Sequence, residues 1–585
     1  MKYSILPTPK QITEKNGAFR TESSDIAIVG DIDRRIVRKA AELQKLLCSV
    51  DSTAHKLSRD DNGCAKIIIS VDPLLMSEQY MLDISSSAVS VSGGSAAGCF
   101  YGIVTLMQLI NEYKNELPAL NINDYPDFGY RGFYHDATRG RVPSVDGVKR
   151  IIDRLASMKI NSFQLYVEHT FDFDEFKNLG RTDEDYLTAE DILEIDSYCY
   201  DNFIDFVPSL STFGHLYELL QNDKYKHLCE LDGFVPQSHF WLERMLHHTI
   251  DPSNPDSIKT ICSLIDQYLP LFRSDYFNIC CDETFDLCKG KNQGKDSGEL
   301  YCGFVNKIID HVTKMGKKVM MWGDIALAHE EALQSIPKDT VFLTWNYQTE
   351  PNLENIVKIK QSGYSQIICP GTNSWHSLIE NIGVSVPNIT KSAKYAFQNG
   401  AMGILNTNWG DFGHPASFEC ALYGASMGAC LSWNTDTDIN ADFEQAVSHT
   451  VYGCNENIIP YIRDIAASQN NAPWIDFFFW NAMHKTDCFK GNASDAENEA
   501  KRCAEISEKL CRLDGNKAVL AHLTNAAKGV CLLNSAKAKI LSGEPTSPLR
   551  DAAKAWLCEY ERLWLEGSKQ SELCEIRKFI MKICE

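Results

Sequence analysis

No stretch of this chain offers about 20 uninterrupted apolar residues, so nothing in it reads as a membrane-spanning helix. Its start, MKYSILPTPKQ, has neither the long apolar core nor the small-residue cleavage site of a secretory signal. Basic charge is also scarce: 57 lysines and arginines face 78 acids, a net charge of -21. That balance excludes the basic footprint needed for nucleic acid or an anionic membrane, and a neutral or small partner fits better. No C-x-x-C, H-E-x-x-H or EF-hand spacing occurs, so neither a metal nor a cofactor is expected. Paired cysteine spacing is missing too. The 21 cysteines are odd in number and scattered, which points to reduced thiols and a cytoplasmic chain. In that compartment the sequons at Asn388 and Asn492 are chance matches.

At 585 residues the chain is too long for one hydrophobic core and divides into three regions. Residues 1–122 alternate short β-like runs with helices, an α+β pattern, and lead through the turn-rich NINDYPDFGY into the next region. Residues 123–445 repeat strand, polar loop and amphipathic helix. The strands are YRGFYHD, NSFQLYV, DFVPSL, YFNICC, KKVMMW, VFLTW, QIICP and GILNT, with helices near 146–158, 189–201, 257–270 and 300–315. Eight such units predict an α/β architecture, a (β/α)8 TIM barrel; an open doubly wound sheet would want a glycine-rich phosphate turn after its first strand. Residues 446–585 are helical, and the stripe Trp556, Tyr560, Leu563 and Trp564 reads as core or interface packing. A homodimer built on these helices is a further expectation.

In a barrel of this kind the site lies at the carboxyl ends of the strands. Those ends carry Tyr134, His135 and Asp136; Glu168 and His169; Ser211 and His215; Asp282 and Glu283; Trp322 and Asp324; Trp345 and Tyr347; Asn373 and Trp375; Trp409 and Asp411. Indole faces stack on the apolar faces of sugar rings, and carboxylates accept hydrogen bonds from hydroxyls. The mixture predicts a carbohydrate pocket.

The stretch ICCDETF, residues 279–285, poses three alternatives: a thiolate site on Cys280 or Cys281, a metal site, or two acids acting alone. A thiol nucleophile would need a histidine base beside it. Strand alternation puts the two cysteines on opposite faces, so at most one approaches a ligand. Adjacent carboxylates cannot easily straddle a glycosidic bond in the manner of a retaining pair about 5 Å apart. They can divide labour on one side of it. Glu283, kept protonated by burial and by its negative neighbour, would be general acid and then base, while Asp282 would orient a 2-acetamido group attacking the anomeric carbon to give an oxazolinium intermediate.

These residues resemble glycoside hydrolase family 20, the β-N-acetylhexosaminidases, over roughly residues 1–440. The resemblance is carried by AAGCFYGIVTLMQLI in the first region, by YRGFYHDATRGRVPSVDGVKRIIDRLASMKINSFQLYVEH, and by STFGH, FNICCDETFDL and NWGDFGH. It implies an exo-acting, retaining enzyme on terminal β-linked GlcNAc or GalNAc, with no cofactor. By position it implies that Arg131 binds sugar hydroxyls and that His215 supports the acids. Trp322, Trp345 and Trp409 would wall the sugar, with Trp375 beside them; Asp411 would take the O4 or O6 side, and Tyr347 the acetamido carbonyl. Strand two ends VEH rather than in an acid pair; Glu168 is expected among the sugar-binding residues, and His169 has no assigned role. The alternative is an amino-sugar-binding homologue that has lost turnover.

Overall fold

The computed structural model describes residues 3–30, 33–59, 63–177, 185–231, 240–246, 248–483 and 486–585. The first region is one sheet of β1 (Gln11–Arg20), β2 (Ile26–Val29), β3 (Leu57–Ser58), β4 (Ile67–Val71), β5 (Tyr80–Ile84), β6 (Val89–Gly93) and β7 (Glu116–Asp124), in the order β1-β7-β5-β6-β4-β2-β3. The helix Ala96–Tyr113 packs tightly against it. A Cβ at Gly102 would sit 2.5 Å from the Val91 side chain, so this glycine permits the close approach. The turn-rich linker expected from NINDYPDFGY begins later than predicted. NIND belongs to β7, which pairs antiparallel with β1 and β5 and extends past the expected boundary at 122. The asparagines misled the reading: Asn121 and Asn123 face outward while Leu120 and Ile122 alternate into the core.

The second region is a closed parallel barrel of β8 (Tyr130–Asp136), β9 (Ser162–Val167), β10 (Asp205–Phe206), β11 (Ser209–Leu210), β12 (Tyr276–Asn278), β13 (Lys318–Trp322), β14 (Val341–Trp345), β15 (Ser365–Cys369) and β16 (Gly403–Asn408). β8 pairs with both β9 and β16, which closes it. β10 and β11 both pair with β9 and form one interrupted third strand, so the eight expected strand positions are all filled. The fourth strand is shorter than YFNICC. Cys280 and Cys281 have φ of 57° and 63°, left-handed values that take the chain out of the ladder. Inside the barrel Tyr134, Tyr166, Met320, Trp322, Leu343, Cys369 and Leu405 interdigitate, and the helices carry their apolar faces to its outside.

The third region is helical, though its expected start at 446 falls within the helix Ala441–Thr450. Its aromatic stripe packs onto the barrel. Trp556 stacks on Tyr560, whose hydroxyl donates to the Pro415 carbonyl at 2.9 Å. The segment after helix Arg550–Gly567 lies along the loop that follows β8: Ser144 N donates to Gly567 O (3.0 Å), Lys569 N to Val142 O (2.8 Å) and Glu572 N to Gly140 O (3.2 Å). Among the described residues no helix is long and apolar enough to cross a membrane.

Arg131 is a correction to the expected site. It is the second residue of β8, at the amino end of the barrel and away from the mouth. Its guanidinium donates to both Glu78 carboxylate oxygens at 2.8 Å, to Tyr101 Oη at 3.0 Å and to the Phe128 and Lys159 carbonyls. It joins the barrel floor to the first domain instead of touching sugar. Breaking a buried ion pair by removing one partner costs about 3–5 kcal/mol. Arg131→Met is therefore expected to lower the thermal midpoint by several degrees while leaving the KM of the folded enzyme unchanged, as differential scanning calorimetry and initial rates would read.

Candidate active site

The mouth is organised around an arginine absent from the expected site. Arg139 follows β8 by three residues, on a turn fixed by Asp136, whose Oδ1 accepts from the Thr138 and Arg139 amides at 2.8 and 3.0 Å. Asp136 Oδ2 accepts from Gly410 N at 3.0 Å and so joins the ends of β8 and β16. The Arg139 guanidinium donates to Asp411 Oδ1 at 2.8 Å and lies 3.5 Å from Glu168 Oε1 and 3.4 Å from His215 Nδ1. Its plane rests between the rings of Tyr166 and Trp409, about 5 Å from each centroid. Burial disfavours its charge, yet Tyr166 and the carboxylates of Asp411, Asp136 and Glu168 outweigh burial and hold it cationic. Glu168, expected to bind sugar, accepts from Tyr166 Oη at 2.8 Å; burial raises its pKa against the opposing pull of Arg139. His169 is buried behind it, with Nδ1 3.6 Å from Glu168 Oε2.

His215 connects this centre to the acid pair. Its Nε2 lies 3.4 Å from Asp282 Oδ2 and 3.3 Å from Glu283 Oε2. Asp282 is largely enclosed, whereas the Glu283 side chain is 24% exposed and opens to the mouth. Glu283 N donates to Asp324 Oδ2 at 3.0 Å. Burial, then the charge of Asp282, pushes the Asp324 carboxyl up to about 7. The ligand atoms of His215, Asp282 and Glu283 fall within 4.8 Å of one another, a spacing that a metal ion could also use. The Arg139 guanidinium on the far side of the imidazole opposes adding a dication there. The cysteines part as expected, by left-handed turns rather than strand alternation. Cys280 faces Tyr134 and Ser209 inside the barrel, and Cys281 faces Thr212. Burial pushes the Cys280 thiol up to about 12 and the Cys281 thiol well above its ordinary value, the reverse of a thiolate nucleophile.

The aromatic residues form one wall. Trp322 is the floor, edge-on to Tyr134 with centroids 5.3 Å apart and 5.8 Å from Trp409. Trp409 Nε1 donates to Tyr347 Oη at 2.7 Å; Tyr347 stacks on Trp345 at 5.2 Å and meets Trp375 edge-on at 5.1 Å. The structure thus gathers Glu168, His215, Asp282, Glu283, Trp322, Trp345, Tyr347, Trp375, Trp409 and Asp411, and leaves Arg131 outside. Asp136 and Asp324 stood at the expected strand ends without a role, and Arg139 and Tyr166 were not expected. The rule that carboxyl ends of strands build the site would have favoured Arg139 over Arg131, since only the former lies beyond the end of β8.

A closed barrel with two carboxylates and an indole wall at the carboxyl ends of its strands has the layout of a barrel glycoside hydrolase. Residues 2–125 match the family described as glycosyl hydrolase family 20, domain 2, and residues 128–381 match its catalytic domain. The chain belongs to glycoside hydrolase family 20. It is 30% identical over 361 residues to a β-hexosaminidase of Porphyromonas gingivalis, covering 55% of this chain and 45% of that protein. It is 25% identical over 281 residues to a lacto-N-biosidase of Bifidobacterium bifidum, covering 46% and 24%. The chain therefore spans less than half the length of these curated relatives. Among solved structures, Flavobacterium johnsoniae chitobiase superposes with a TM-score of 0.63 at 18% identity, covering 100% of this chain and 99% of that one. A Vibrio harveyi family 20 exo-β-N-acetylglucosaminidase in complex with N-acetylglucosamine gives 0.58 at 20% identity, covering 77% and 76%. At these identities the superpositions establish the fold.

The geometry at His215 has a measurable consequence. Burial alone would lower its pKa, but Asp282 and Glu283 prevail and raise it to about 10. A raised folded-state pKa contributes stability that is complete below the unfolded value of about 6.5 and is lost as pH rises through the folded value. His215→Gln is expected to flatten the decline of the thermal midpoint between about pH 6.5 and 10. A decline as steep as that of the wild type would remove His215 from its ion pairs.

Proposed function

We propose that this chain is an exo-β-N-acetylhexosaminidase that removes terminal non-reducing β-linked GlcNAc or GalNAc with retention. The observation that carries the reading is the adjacent Asp282 and Glu283, both fastened at the barrel mouth under an indole wall. In the first step Glu283 gives its proton to the glycosidic oxygen as the bond to the anomeric carbon breaks. The substrate's acetamido oxygen forms the new bond to that carbon, and Asp282 accepts the acetamido N–H as positive charge develops there. Water then attacks the oxazolinium, and Glu283 takes its proton back. Double displacement at one carbon gives retention.

Each neighbour has work in this scheme. His215 Nε2–H, aimed at both acids, orients Asp282 toward the acetamido group. The Asp324 contact fixes the backbone of Glu283. Tyr347 keeps its proton, since burial raises its pKa far above the usual phenol range, and serves as hydrogen-bond donor to the acetamido carbonyl. Arg139 and Asp411 present a donor and an acceptor side by side, the pair needed to read a sugar diol at the O4 or O6 side. Trp322, Trp345, Trp375 and Trp409 enclose the ring and acetamido methyl. Free thiols at exposed Cys48, Cys64, Cys511, Cys558 and Cys574 support a reducing, cytoplasmic location.

Aryl β-GlcNAc and aryl β-GalNAc should be hydrolysed, and aryl β-glucoside, which lacks the acetamido nucleophile, should not. Equal turnover of the glucoside would sink the mechanism. Binding of GlcNAc without hydrolysis of any β-linked substrate would leave the amino-sugar-binding alternative. Glu283→Gln is expected to lose about 10²–10⁴-fold in kcat on substrates with poor leaving groups and much less on activated aryl glycosides. Arg139→Met should raise KM for both amino sugars while preserving retention, as read by NMR of the first-formed anomer.

A further inference from the structure

Between the barrel and the C-terminal helices lies a cavity of about 560 Å³ that the proposed reaction does not use. Three guanidiniums line it, those of Arg141, Arg150 and Arg154. Arg141 comes from the loop after β8. Arg150 and Arg154 stand four residues apart on helix Val145–Ser157, a spacing that puts both on one face.

What these arginines bond to sets them apart. Arg131 holds Glu78, Arg139 holds Asp411, and Arg244 holds Glu572. By contrast, Arg141 donates to the His414 and Pro415 carbonyls at 3.3 and 3.4 Å and to Tyr560 Oη at 3.2 Å. Arg154 donates to the Val451 carbonyl at 3.3 Å, and Arg150 to the Glu566 carbonyl. Every acceptor is a neutral oxygen. Three acids also border the cavity, and each has another partner. Asp153 accepts from Tyr198 Oη at 2.7 Å, Glu566 is held by Arg562, and Glu419 lies 3.7 Å from His522 Nε2. Among the described residues no carboxylate hydrogen-bonds these guanidiniums; Asp153 and Glu419 act on Arg154 only through space, and burying the cation is costly. Burial holds Arg154 below its ordinary pKa, in keeping with that cost.

We propose that this cavity binds a small phosphorylated metabolite, its phosphate held by Arg141, Arg150 and Arg154. Guanidinium forks match tetrahedral oxyanions in geometry and charge. The space is in the range of small-molecule pockets, and Ile151, Phe418, Leu422 and Val519 give it an apolar side for a carbon skeleton. The site has a physical route to the mouth. Arg141 is two residues beyond Arg139, and the His414 carbonyl it holds is three residues beyond Asp411. This inference stands independently of the reaction proposed above.

The test is calorimetric titration of the full chain with inorganic phosphate and with glucose 6-phosphate, ionic strength being held constant with sodium chloride. Saturable single-site binding is expected from both, tighter for the sugar phosphate; tighter binding of phosphate alone would assign the site to the free ion. Arg150→Gln/Arg154→Gln should abolish saturation while retaining wild-type turnover of aryl β-GlcNAc. Glu419→Gln removes a like charge facing the ligand and should bind phosphate several-fold tighter, a result that does not depend on folding of the double variant. Failure of both ligands to saturate overturns the proposal, as does undiminished binding in the folded double variant or weaker binding in Glu419→Gln.

Discussion

The arrangement of the mouth depends on one buried cation. Arg139 faces three carboxylates, Asp136, Glu168 and Asp411, that come from the ends of three different elements, and the edge of the His215 imidazole as well. Three carboxylates brought together in a desolvated cleft repel one another, and the guanidinium between them offsets that repulsion. The same guanidinium lies against Tyr166 and Trp409, so the electrostatic centre and the aromatic wall share one side chain. His215 passes the arrangement on to Asp282 and Glu283.

The acid pair itself sits on strained backbone. Cys280, Cys281 and Glu283, and His215 opposite them, all have left-handed φ. For residues with a Cβ this costs about 1–2 kcal/mol each. Fixed hydrogen bonds hold the turn: Asn278 Oδ1 accepts from Cys280 N at 3.0 Å, Tyr301 Oη donates to Cys281 O at 2.8 Å, and Thr212 Oγ1 donates to Ile279 O at 2.6 Å. The strained turn brings both carboxylates to the same side of the barrel mouth, which an extended strand, alternating its side chains, would not do. Strain of this kind persists only where the surroundings over-determine it, and active sites are where it concentrates.

The C-terminal helices serve the same end from outside. Glu572 accepts from Trp241 Nε1 at 2.7 Å and from Arg244 at 2.8 Å, and the Arg244 charge, with Arg139 and His215, opposes the burial that raises the Glu168 pKa. A Cβ at Gly413 would lie 2.5 Å from the Trp241 ring, so the turn after Asp411 is packed against this buttress. Trp474 Nε1 donates to the Phe412 carbonyl at 3.2 Å in the same turn. The third region is thus continuous with the walls of the mouth.

The eight-strand pattern, the carboxyl-end acids and the recurring indoles were legible because period and strand order follow from local sequence. Glu168, His215, Asp282, Glu283 and the four tryptophans were found by counting to strand ends. Arg131 and Arg139 are alike in residue type, and only their places on β8 separate them: Arg131 is its second residue, at the floor, and Arg139 lies three residues beyond its end, at the mouth. The extent of β7 was hidden because Asn121 and Asn123 are turn-forming in isolation, and long-range pairing with β1 and β5 overrode that preference. The contribution of Glu572 was likewise invisible, being separated from Arg244 by more than half the chain. Sequence by itself determined which chemical groups this protein has and the strands on which they end. Tertiary closure decided which of them share a cleft, because burial and charge pairing act through space and not along the chain.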